Sequence, residues 1–64
     1  MTIRVLSEQH GQLNTEGHFN GDDARTRALN YAKRLRNAET ATRAIMARAG
    51  IPYHRVNYLI EGDE

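Results

Sequence analysis

The chain has 64 residues, a formal net charge of +1 and no cysteine. That length gives a single domain with a small core, for which association often supplies the missing burial, and it leaves little room for a dry, preorganised catalytic pocket. The absence of cysteine excludes disulfides, thiolate nucleophiles and cysteine-type zinc sites, and the sequence has neither the apolar run of a signal peptide nor a stretch of membrane length. Residues 1–64 are therefore expected to form one soluble, cytoplasmic domain without membrane attachment, with a homodimer as the default state.

In chain order, residues 2–7, TIRVLS, alternate like a short strand with Ile3 and Val5 on one face. His10-Gly11 offers a turn. The following QLNTEGHF reads either as the second arm of a hairpin or as a loop pinned by Phe19, so residues 1–21 are predicted to form an N-terminal strand or β-hairpin arm. Asn20-Gly21 then turns the chain, Asp22 can cap a helix, and Asp23 favours the positive end of its dipole. From Ala24 to Arg36, the residues Ala24, Ala28, Tyr31, Ala32 and Leu35 recur at helical spacing, while Leu29 falls off that stripe. A break is predicted between Asn37 and Thr40, with Thr40 as the next N-cap; an unbroken helix from 23 to 49 is the competing reading. The second helix would carry Ala41, Ile45, Met46 and Ala49 on one side and end at Gly50, which supplies the left-handed backbone that helix ends often need.

The closing stretch, RAGIPYHRVNYLIEGDE, admits two assignments. Val56, Leu59 and Ile60 form the inward stripe of a short helix; Val56, Tyr58 and Ile60 form one face of a strand. Pro52 suits a helical first turn and is a liability inside a strand, and together with the helix-glycine-helix spacing it selects the helix. The expected fold is thus mainly α, with three short helices over residues 22–62 behind the N-terminal arm. The alternative is α+β, in the order β-β-α-β.

On that assignment, TATRAIMARAGIPYHRVNYLIEG (residues 40–62) resembles the helix-turn-helix of Cro/repressor-type (XRE-like) DNA-binding proteins. Gly50 stands where that motif has its turn glycine, Ile51 is the small buried aliphatic, Val56 and Leu59 take the inward positions of the second helix, and Gly62 ends it. The sequence departs from the family at Met46, where alanine usually lets the two helices cross closely, and it ends soon after Gly62, where the family adds one or two helices. The segment around Ile3, Val5 and Leu6, or a second copy of the chain, would have to cover the exposed apolar surface. The resemblance implies a helix from Pro52 lying in the major groove, with Tyr53, His54, Asn57 and Tyr58 against base edges and double-stranded DNA as the partner.

The charge pattern agrees with such a partner. Between Ala24 and Arg55 lie eight basic residues, seven of them arginine, against Glu39 alone, a net of +7; residues 1–23 and 56–64 each carry −3. A segregated field of this kind attracts polyanions although the whole chain is near neutral. Lys33, Arg34, Arg36, Arg43, Arg48 and Arg55 are the expected phosphate contacts, arginine's planar fork matching phosphate better than lysine does. The bland alternative is a solvated helix face.

Catalysis is not expected. His10 and His18 lie near acidic residues at spacings that match no compact metal-ligand pattern, there is one serine, and HGQLNTEGHFNG lacks the lysine and strand-loop-helix context of a phosphate loop. No cofactor or metal is implied. The predicted function is a small DNA-binding transcriptional regulator. A second reading is a compact β-β-α-β module of the kind that phage-type inhibitors use to bind a host nucleic-acid-handling or defence complex; a third, single-stranded RNA binding, rests on charge and Tyr31, Tyr53 and Tyr58. Helix over residues 52–61 supports the regulator, whereas strand pairing of that segment with Ile3 to Leu6 removes the regulator account and puts the protein-binding inhibitor in its place.

Overall fold

The computed structural model describes residues 2–63. It contains strands β1 (Thr2–Gln9) and β2 (Gln12–Asn20), helix α1 (Ala24–Ala49) and strand β3 (Asn57–Asp63). The strands form one antiparallel sheet in the order β2-β1-β3, and α1 packs across one face of it.

The first hairpin follows from its turn. His10 and Gly11 both take positive φ, 57° and 79°, the pair of values that a two-residue hairpin loop with the natural strand twist requires. The Glu8 carboxylate accepts the Gly11 N–H at 3.0 Å and closes the turn. Pairing runs from Thr2↔Asn20 to Val5↔Gly17 and resumes at Leu6↔Thr15, leaving Glu16 as an extra residue in β2. This bulge sets Glu16 where its carboxylate accepts the Ser7 hydroxyl at 2.7 Å. Gly17 lies so close beneath the Tyr31 ring that an added Cβ would stand 3.2 Å from Cε2. The ring rests on bare backbone, and its hydroxyl donates to the Glu16 carbonyl at 3.3 Å.

Between sheet and helix the packing is close because the helix presents alanine. Ala24, Ala28 and Ala32 are fully buried against Ile3 and Val5, with Phe19, Tyr31, Leu35 and Ile60 around them. The spacing of four puts the three alanines in one row, so the helix backbone approaches β1 directly. Buried positions on α1 stop at Glu39, some ten residues or roughly 15 Å before the helix ends. Over that distance the helix runs beyond the part of the sheet it covers, and residues 51–56 return toward β3 without regular structure.

Several sequence expectations are corrected here. The fold is α+β rather than mainly α with three helices, and no helix-turn-helix forms over residues 40–62. The break expected at Asn37 to Thr40 is absent, because Ala38 and Glu39 continue the helix and the Glu39 side chain turns inward as part of its buried row. Asp23, not Asp22, is the N-cap, and it makes no side-chain capping hydrogen bond. The helix expected from Pro52 is replaced by β3, which pairs with β1 from Thr2↔Asp63 to Glu8↔Asn57. Pro52 lies in the returning segment, ahead of the strand, so its missing N–H never enters a ladder. The strand alternation is the one that holds: Val56, Tyr58 and Ile60 are half-buried while Asn57, Leu59 and Glu61 are exposed. Gly50 ends the helix as expected, at φ 69°, with backbone N–H groups of residues 50 and 51 closing on the carbonyls of Ala47 and Met46. Among the described residues no helix is long and apolar enough to cross a membrane.

Candidate nucleic-acid interface

The structure separates the charges into layers. Seven basic residues lie on α1 against one acid, Glu39, giving +6, whereas the three strands hold Arg4 against Glu8, Glu16, Glu61 and Asp63, giving −3. Glu39 does not dilute the outer field, because it is 7% exposed and turned toward the sheet, where it pairs with Arg43 Nε at 3.0 Å and accepts the Val56 N–H at 3.2 Å. Within α1 the outward side therefore has no acidic residue, although the exposed N-cap Asp23 stands at its start, paired with Arg27.

On that side Arg27, Asn30, Arg34, Asn37, Ala41, Ala44 and Arg48 follow one another at alternating steps of three and four, and every one is exposed. That spacing keeps them on one long stripe opposite the buried alanines, spanning roughly 32 Å from first to last. Lys33, also exposed, borders it. Arg27 is committed within the fold, to Asp23 and to the Asn20 carbonyl, with its guanidinium 5.8 Å above the Phe19 ring. Among the described residues Arg34 and Arg48 make no side-chain hydrogen bond or ion pair, and two asparagines stand between and beside the arginines.

The six predicted phosphate residues divide into two groups. Lys33, Arg34 and Arg48 belong to the outward side. Arg36, Arg43 and Arg55 instead line a groove of about 540 Å³ between α1 and the start of β3, together with Glu8, Glu39, Thr40 and Asn57. Of the four predicted base readers, Asn57 and Tyr58 both line that groove, whereas Tyr53 and His54 lie outside it. Tyr53 lies half-buried beside Arg43, Ala47 and Ile51. His54 stacks edge-on against His10 with ring centres 4.4 Å apart, while its carbonyl accepts the Gln9 side chain. Asn57 and Tyr58 are successive strand residues and point to opposite faces of the sheet. Asn57 donates to Glu8 at 3.1 Å on the open face; Tyr58 lies on the helix side, its carbonyl accepting Arg36 at 3.3 Å and its hydroxyl pushed above its ordinary pKa chiefly by burial.

Sequence reasoning missed Asn30 and Asn37. The helical period of the polar face selects them, three residues after Arg27 and Arg34. It also missed Glu39 as an interior anchor, for which a lone acid within a run of arginines was the available signal. Among the described residues no group of three or more histidine, cysteine or acidic side chains is arranged to hold a metal ion. No protein-family model matches the chain, and neither a curated protein nor a solved structure matches it.

Proposed function

We propose that the chain is a non-catalytic binding module that takes double-stranded DNA on the outward side of α1. The observation that carries this reading is the exposed stripe within α1 that begins Arg27, Asn30, Arg34, Asn37 and ends at Arg48 with no acid in it. Surfaces that bind nucleic acid are more polar and far more positive than those that bind protein, and this stripe holds no large apolar residue. Lys33, Arg34 and Arg48 supply phosphate contacts. Asn30 and Asn37 are the side chains suited to a base edge, asparagine matching the two adjacent groups of adenine in the major groove. Base reading from a helix beginning at Pro52 forms no part of this proposal.

Fluorescence anisotropy of a labelled duplex, titrated across a salt series, tests it. Affinity should fall steeply with salt, and Arg34→Ala should weaken binding to all sequences alike while reducing the logarithmic salt slope by about one. Asn37→Ala should cost about 1–3 kcal/mol on a preferred sequence only. A combined Lys33→Ala, Arg34→Ala, Arg48→Ala variant that binds duplex as well as the parent sinks the reading. The β-β-α-β plan itself, with β3 paired to β1, favours the second reading, capture of a host protein complex. A chain with no affinity for duplex at low salt would leave that reading in its place.

A further inference from the structure

We propose that the groove between α1 and the start of β3 is a separate anion site, built for a phosphate monoester and held by Arg36, Arg43 and Arg55. The volume, about 540 Å³, is in the range of small-ligand clefts. Two carboxylates also face the groove, and each already has protein partners. Glu39 holds Arg43 Nε with one oxygen and the Val56 N–H with the other. Glu8 accepts Asn57 with one oxygen and the Gly11 N–H with the other, and these hydrogen bonds, that of Asn57 first, keep its carboxyl below its ordinary pKa.

The groove sets three arginines against two carboxylates, and since Arg43 is paired with Glu39, Arg36 and Arg55 are the guanidinium groups without an acidic partner among the described residues. Arg43 lies in an ion pair with Glu39, whose other oxygen accepts the Val56 N–H, while its buried Nε makes no hydrogen bond among the described residues and its guanidinium keeps donors for an anion. Arg36 approaches from the helix, touching the Tyr58 carbonyl at 3.3 Å. Arg55 arrives from the returning segment, and among the described residues its side chain makes no hydrogen bond or ion pair. Thr40 adds a hydroxyl donor at the rim. Three arginines from two segments line the groove, and bidentate arginine contacts are the strong form of phosphate recognition. The residues differ from Lys33, Arg34 and Arg48, so this site stands whether or not the outward stripe binds duplex.

The ¹⁵N-labelled full chain, titrated with adenosine 5′-monophosphate and separately with adenosine, tests the proposal. The nucleotide should give saturable shifts at the Val56 and Asn57 amides and the Arg43 Nε–H, and adenosine none. Arg55→Gln, which removes no hydrogen bond or ion pair among the described residues, should weaken nucleotide binding at least tenfold with amide dispersion unchanged, whereas Arg34→Ala should leave it intact. An oligonucleotide with a 5′-phosphate, compared with its 5′-hydroxyl twin, tells the two sources apart. Preference for the phosphorylated strand over the free nucleotide identifies a strand end as the ligand, and parity identifies a small phosphorylated molecule. Non-saturating shifts, equal shifts from adenosine, or equal losses from Arg55→Gln and Arg34→Ala would overturn the site.

Discussion

Glu39 illustrates how one side chain can join the interior to the surface. Its carboxylate is 5% exposed and satisfies the Val56 N–H at the point where the returning segment meets the sheet. Glu39→Ala leaves that N–H without its partner and frees Arg43, so it should cost about 2 kcal/mol in urea unfolding; Glu39→Gln, which keeps an acceptor, should cost less than half as much. Glu8 makes a complementary prediction in pH. Its folded pKa lies below the ordinary 4.5, the Asn57 side chain being the first cause and the Gly11 N–H the second. A depressed carboxyl contributes stability above its unfolded pKa and loses that contribution as pH falls through the folded value. Thermal unfolding followed below pH 4.5 should therefore show a shallower decline for Asn57→Ala than for the parent, and an equal decline would remove the role given to that hydrogen bond.

At the scale of elements, α1 depends on three alanines that let it lie close upon β1. Ala28→Leu should force helix and sheet apart and cost about 1–3 kcal/mol, measurable as a lower urea midpoint at unchanged slope. Parts of this architecture are plain in the sequence and parts are not. The alternation of Ile3 and Val5, the alanine and leucine stripe of the helix and the stop at Gly50 all follow from local rules. β3 does not, because Val56, Leu59 and Ile60 satisfy helical spacing while Val56, Tyr58 and Ile60 satisfy strand spacing, and pairing with a distant segment decides between them. Pro52 tilts a local reading toward helix, since nothing in the sequence says that the strand begins five residues later. The basic residues of the candidate sites are legible as a charge run. Their division into an outward stripe and a groove is not, because it requires Arg55 to be carried back alongside Arg36 and Arg43.

For the molecule as a whole, the layering of positive helix over negative sheet gives a strong dipole to a chain whose net charge is only +1. A polyanion would meet one broad side of the protein and be repelled by the other, so orientation is set before contact. The hydrophobic interior is slight, Ile3 and Val5 being the large side chains fully withdrawn from water among the described residues, while Ile45, Ile51 and Leu59 remain exposed. This imbalance keeps a homodimer as the expected solution state. Its signature is a thermal midpoint that rises with protein concentration; a midpoint constant over a hundredfold range would assign all the stability to the monomer.

The contacts that Arg36 and Glu39 make at the beginning of β3 have one more consequence. A strand on the margin of a sheet offers its unsatisfied peptide groups to any extended chain that drifts past, which is how fibrils are seeded. Here the Val56 amide and the Tyr58 carbonyl are already claimed by helix side chains, and on the far margin the extra residue in β2 spoils the regular spacing that a newcomer would need. The same arginine and glutamate that shape the groove thus withhold the first peptide groups of that margin from lateral recruitment.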